Sequence, residues 1–412
     1  MVRQKTETSA HYQGLPEGSQ SRRDFLRLGL MGLGGVSLSM VAKAGRDTRR
    51  EMAAIGLYLD GAMSQVDFAD WKPDAGEDIR GRWQPRDANH GRSGVIFSPY
   101  FPRLAGMSEH IAVIRTMTAR TLTHDDADAN ALLNGNRTTL AKRLGEIQPG
   151  GVPYVFGDMP VCDTNPIYRA AHQPNEALEI RWNAETNRFA GPPAASTPEA
   201  VAELTGRRAL LGKLNMGSRV TGREAEKWDA RQELAFDIAS GNMASFDLDA
   251  RDLKRYGNNP FGAGLLLARN LAASGRVKSV TLRTPDWDKH SNIHEFMDLH
   301  GRQMDQAVAE LIADHRRGVW RGLFWARGEF GRTPRLNGSA GRDHWSTHAA
   351  MLAGENIQGG VVLGETDATG VPTRTSVRVT DANFQDMALE AMGKPPDFAD
   401  RVPGLVVRRR AQ

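Results

Sequence analysis

The sequence predicts an α/β fold built on a largely parallel sheet, and three observations carry that prediction. Short apolar runs that read as strands alternate with longer stretches of helical pattern. No internal repeat or low-complexity tract interrupts the alternation. Three of the strand readings end in acids: Asp60, the Asp286/Asp288 pair and Glu329. In open α/β sheets ligands gather beyond the carboxyl ends of the strands, so these acids are expected to converge.

In chain order, Ile55 to Leu59 reads as a buried strand delivering Asp60. Ile111 to Arg115 reads as a second strand, followed by a Thr-rich turn and by His124 to Leu133, where the loop passes into a helix start. Residues 150–200 are rich in Pro, Asn and Gly and read as irregular. Helical patterns cover Pro198 to Leu214, Arg223 to Ala239, Phe261 to Ser274, Phe296 to Arg316 and Phe384 to Met392. Strands are expected at Val277 to Leu282, Val319 to Ala326, Val361 to Leu363 and Val377 to Val379.

Ahead of this pattern, Ser21-Arg22-Arg23-Asp24-Phe25-Leu26-Arg27 precedes a modest, Gly-rich apolar run and a small-x-small site ending at Ala44. That order is expected of a twin-arginine signal peptide, with the translocase as partner and the periplasm or exterior as destination. The predicted organisation is a signal peptide over 1–44, one domain over 45–400 and a basic tail over 401–412. No later segment has the length of a membrane span.

Composition narrows the function classes. The chain has 412 residues, 40% hydrophobic and 25% charged, which is ordinary for a globular protein. Most of the net charge of +4 comes from the leader, so bulk charge does not point to nucleic acid. Cys162 is the single cysteine, which excludes an intramolecular disulfide and Cys-rich zinc or iron–sulfur sites. His-Glu-x-x-His, Gly-x-Ser-x-Gly and P-loop patterns are all missing.

Two local units carry the candidate chemistry: Asp288-Lys289-His290 with His294 further on, and Asp343-His344 with His348 further on. Each sets an acid beside an imidazole, a ligand mixture suited to zinc, manganese or iron. A spacing of four would put both histidines of a unit on one face if the stretch were helical. Glu329-Phe330-Gly331-Arg332-Thr333-Pro334 adds a strand-end acid and a tight turn, with Arg332 a candidate for gripping an anion bidentately. His124 and His290 are candidates for acid–base work.

These units, together with Leu59 to Asp67, Tyr256-Gly257-Asn258-Asn259-Pro260-Phe261-Gly262, Trp287 and Leu363 to Asp367, stand in an order that resembles the exported bacterial domain of unknown function 1501. That family is related in fold to the alkaline phosphatase and sulfatase superfamily. The resemblance spans residues 51 to 395. It implies an α/β/α sandwich and a divalent metal, zinc, manganese, calcium or magnesium, used on phosphate or sulfate esters. It further implies that Asp60, Asp288, His290, Glu329 and His344 are ligands, with Asp343 beside them. Asp125, after His124, falls near the nucleophile position. Two departures stand out. Asp125, with Thr121 and Thr123 nearby, replaces the expected Ser, Thr or modified Cys, and Glu329-Phe330 replaces an Asp-His pair. The expected function is an exported metal-dependent ester hydrolase; the alternative is a non-catalytic binding or assembly protein on a degenerate hydrolase fold.

Overall fold

The structure, a computed structural model, describes residues 52–394 apart from 92–93, 134–138, 146–154, 159–177, 184–187, 191–196, 216–235, 237–247 and 276. The leader, Cys162, nearly all of the helical reading at Arg223 to Ala239, and the basic tail lie outside the described residues.

The centre is a nine-stranded sheet. Its strands are β1 (Ala53–Leu59), β2 (Ile111–Thr118), β3 (Val155–Asp158), β4 (Leu178–Asn183), β5 (Arg188–Ala190), β6 (Ser279–Thr284), β7 (Gly322–Arg327), β8 (Thr347–Gly354) and β9 (Val361–Leu363). They lie in the order β9-β2-β8-β7-β1-β6-β3-β4-β5. The run β7-β1-β6-β3-β4 is parallel throughout. Strand β8 enters reversed between β7 and β2, and β5 is reversed at the other edge. The sheet is therefore mostly parallel, as the alternation predicts.

Every residue of β1 is buried, as a strand covered on both faces must be. Its side chains alternate between two cores. Ile55, Leu57 and Leu59 join Leu265, Leu266, Met304 and Val308. Ala54 and Tyr58 join Leu132, Leu140, Leu144, Phe384 and Leu389. The helices of the first face include α5 (Pro260–Ala273) and α6 (Arg302–Arg316); those of the second are α1 (His124–Leu132), α2 (Leu140–Gly145) and α7 (Asp381–Ala391). Two further helices, α3 (Pro198–Asn215) and α4 (Ala250–Tyr256), precede α5. The result is an α/β/α sandwich.

Local chemistry sets the helix starts. Asn259 caps α5 by accepting from the Gly262 amide, with Pro260 at the first position. Thr380 and Asn383 form a reciprocal capping box on α7. Asp125 and Asp126 lie in the first turn of α1, where they complement the helix dipole.

The structure departs from the sequence reading in several places. Strand β8 was not foreseen, because Ala-Ala-Met-Leu-Ala-Gly has weak strand propensity and its burial between β2 and β7 overrides it. Strands β3, β4 and β5 occur within the stretch read as irregular. Val377 to Val379 forms no strand; Val379 makes one isolated bridge to Met117. The long helix predicted from Phe296 contains a π-turn over Met297–Gly301 before α6. Strand β7 starts at Gly322 rather than Val319, because Trp320 tucks back to donate to the Leu311 carbonyl at 3.0 Å. No described helix is long and apolar enough to cross a membrane.

Candidate metal centre

Four chain segments meet beyond the carboxyl ends of parallel strands. Asp60 follows β1, Asp288 lies four residues beyond β6, Glu329 two beyond β7, and His124 opens α1 after β2. A two-residue ladder, Gly331–Arg332 against His344–Trp345, brings His344 alongside. The strand-end acids thus share one edge of the sheet.

Asp288 is the hub of the outer group. Its Oδ1 lies 3.0 Å from His290 Nε2 and 3.3 Å from His344 Nε2. Its Oδ2 faces His124 Nε2 at 3.4 Å, too poorly placed for a hydrogen bond. The other nitrogen of each ring is anchored. His344 Nδ1 is 2.7 Å from the Leu122 carbonyl, His290 Nδ1 is 2.7 Å from Asp343 Oδ1, and His124 Nδ1 is 2.8 Å from Glu329 Oε1. A carbonyl only accepts, so His344 carries its proton on Nδ1. Burial holds the His344 pKa below its usual value, and its Nε2 is turned toward the Asp288 carboxylate.

The titrating groups shift according to their own surroundings. The neighbouring Asp288 and Glu329 carboxylates push His124 up to about 10. Burial opposes the Asp288 charge, but His124 and the Arg332 guanidinium outweigh it and hold its carboxyl well below the usual range. Hydrogen bonding from His290 and Asn337 lowers the exposed Asp343. Burial raises Glu329, with His124 working against it.

A second, inner group is made of carboxylates. Asp60, Asp128 and Glu329 each place one oxygen within 4.8 Å of the others. Glu329 is fully buried; its Oε1 accepts from the Gly61 amide at 2.9 Å, and its Oε2 has no partner. Asp128 Oδ1 accepts from Tyr58 at 2.5 Å, and Asp60 is bound by the Arg283 guanidinium. The sequence reading missed Asp128. The signal available was its spacing of four from His124, which on a helix sets both on one face.

Arg332 is completely buried. Its guanidinium donates to the Ala62 carbonyl at 3.1 Å, to the Gly61 carbonyl and to Asp288, while Gln65 bonds its backbone on both sides. It ties the loop after β1 to Asp288. Asp125 is exposed on the first turn of α1. Phe330 is buried with its ring centroid 4.9 Å from His124 and 4.5 Å from His344, filling the space beside both imidazoles.

The other histidines separate from the group. Neither unit is helical across both of its histidines: His290 lies ahead of the short helix that holds His294, and His344 and His348 lie in strands, so the spacing of four does not align them. His294 pairs with the Tyr100 hydroxyl at 2.9 Å. His315 packs on Trp320, and His348 is fully buried in β8. Trp287 is core, its Nε1 donating to Thr284 at 2.8 Å.

Comparison with known proteins follows the same chain. It matches the family described as protein of unknown function (DUF1501) over residues 51–143 and 175–397, and belongs to that family. No curated protein matches it. Among solved structures it is similar to the lipoteichoic acid synthase LtaP from Listeria monocytogenes, at 9% identity and a TM-score of 0.42, covering 84% of this chain and 72% of that one. It is also similar to Ps i-CgsB in complex with k-i-k-neocarrahexaose, at 10% identity and a TM-score of 0.40, covering 83% and 72%. BT1596, a 2-O GAG sulfatase, gives 10% identity and a TM-score of 0.35, covering 85% and 73%.

Proposed function

We propose that this DUF1501 protein is an exported, metal-dependent hydrolase of phosphate or sulfate esters, with His124, His290, His344 and Asp288 holding a divalent cation. One observation carries the reading: the Nε2 atoms of His344, His290 and His124 converge on the Asp288 carboxylate at 3.3, 3.0 and 3.4 Å. Each ring is anchored through its other nitrogen, so the three Nε2 atoms and the carboxylate are set to share one cation. Three imidazoles and a carboxylate suit zinc or manganese. The carboxylate group of Asp60, Asp128 and Glu329 suits magnesium or calcium.

A bound cation would polarise the ester and neutralise charge developing on its oxygens. The chain's own residues prepare for it. Leu122, Asp343 and Glu329 fix which ring nitrogen faces inward, the usual role of groups behind metal-bound histidines. Arg332 holds Asp288 in place. Asp125 is the candidate attacking group, exposed one residue beyond His124. The twin-arginine leader supplies the export reading.

The test is elemental analysis of protein exported through its own pathway, beside the double change Asp288→Ala, His344→Ala. About one equivalent or more of a divalent metal in the wild type, lost in the double variant, supports the reading. Turnover of phosphate or sulfate esters should then disappear in Asp125→Asn while the metal remains. Absence of metal from both proteins sinks it. The second reading is a binding or assembly protein on a degenerate hydrolase fold, favoured by the burial of Arg332 and by Phe330 beside the imidazoles. Capture of a specific partner that survives the double change would support it.

A further inference from the structure

One side chain beside the proposed centre is fully engaged without facing it. The Oδ1 of Asn337 accepts from the backbone amides of Ser339 at 2.9 Å and Gly341 at 3.0 Å. Its Nδ2 donates to the His290 carbonyl and to Asp343 Oδ1, each at 3.0 Å. Its own amide donates to the Gly341 carbonyl at 2.8 Å, and its carbonyl accepts from the Ala340 amide at 3.1 Å. A carboxamide has two donors and two acceptor lone pairs, and Asn337 uses all of them.

The two halves of that carboxamide do different work. The oxygen closes the turn 337–341, in which Ala340 takes a left-handed φ of 55°. The nitrogen reaches a segment 47 residues away in the chain. Asp343 Oδ1, which it holds, is the same oxygen that stands 2.7 Å from His290 Nδ1. A carboxylate only accepts, so this contact keeps a proton on Nδ1 and turns Nε2 toward Asp288 at 3.0 Å. The His290 and Asp343 side chains are 46% and 53% exposed, so hydrogen bonds rather than burial set the orientation of the ring.

We infer that Asn337 is the positioning residue for His290. One nitrogen holds both the backbone of His290 and the acid that anchors its ring, which fixes the place and the rotation of the imidazole together. The consequence for metal affinity rests on the centre proposed above; the positioning itself does not.

The test is the near-isosteric change Asn337→Asp. It keeps the acceptor that closes the turn, removes both donors and sets a second carboxylate beside Asp343. Urea unfolding should be little changed. In metal-free protein the His290 Nδ1 proton, followed by NMR, should exchange with solvent about tenfold faster than in the wild type. Affinity for zinc, read by competition with a chelator, should fall about tenfold, the low end of the range for groups behind a metal-bound histidine. Wild-type exchange and wild-type zinc affinity in the folded variant overturn the inference. So does a loss of both that matches an equal loss of folding stability, because the side chain would then only hold its turn. A wild-type protein that binds no zinc sinks the metal centre alone; exchange of the His290 proton still decides the role of Asn337.

Discussion

Two concentrations of charge in this protein are built in opposite ways. On α4 and α6, Asp314 accepts from Arg255 at 3.0 and 2.9 Å, from the Tyr256 hydroxyl at 2.7 Å and from Arg317; Arg255 also reaches Glu310 at 2.7 Å and Asp252 at 2.9 Å. Donor meets acceptor at both Asp314 oxygens. At the sheet edge, Asp288 instead faces three imidazole nitrogens. Density of charge is common to both and says little. The first cluster is complete within the chain, whereas the second gathers three imidazole nitrogens on one carboxylate, the arrangement on which the proposed metal site rests.

The sharpest way to break that contrast is to remove the hub of the complete cluster. Asp314→Ala should cost about 3 kcal/mol, the scale for stranding buried charged partners, read by urea unfolding, with metal content unaltered. If metal content fell as well, the two clusters would not be separable. Asp305 offers an intermediate case, an acid held by the backbone amides of Arg103 and Leu104 at 3.1 and 2.9 Å. Burial pushes it up to about 6 despite those bonds. A raised carboxyl pKa means its contribution to stability is full below the unfolded value near 4 and is lost as pH rises through 6. Asp305→Asn should therefore gain about 2 kcal/mol relative to wild type between pH 4 and pH 8, and a flat difference across that window would contradict the assignment.

Smaller effects sharpen the same picture. Asp343→Ala removes the partner of His290 without touching the inward-facing nitrogens, and should weaken metal affinity about tenfold with little change in unfolding. Competition with a chelator measures it; unchanged affinity would leave His290 outside the centre. The smallest effect belongs to Glu203→Ala on α3, whose ion pair with Arg207 is exposed. It should shift stability by less than about 0.5 kcal/mol and metal binding not at all.

The ends of β1 and β7 were legible because these buried parallel strands are mostly apolar, so an acid just beyond them is conspicuous; β6 carries a weaker signal of the same kind in Val280 and Leu282. The placement of Asp60, Asp288 and Glu329 at one edge follows from that. Asp128 was hidden, because it sits among alanines in α1 and only its spacing of four from His124 hints at it. Strand β8 was hidden for a related reason: its alanines carry no strand signal, and its place between β2 and β7 is decided by long-range packing. The burial of Arg332 was equally out of reach, since it depends on carbonyls at Gly61 and Ala62, some 270 residues away.

Gly341 joins the two segments that present His290 and His344. A Cβ on it would lie 2.0 Å from the His290 carbonyl carbon, so the segments touch backbone to backbone. Three rungs reinforce the contact: Arg342 to Lys289 at 3.0 Å, and Asn292 to Ser339 and Ile293 to Ala340, each at 3.1 Å. Mechanically the two segments form one stiff plate. A push on the outer edge of either would tilt both imidazoles together, and their mutual spacing would survive a displacement of the plate as a whole.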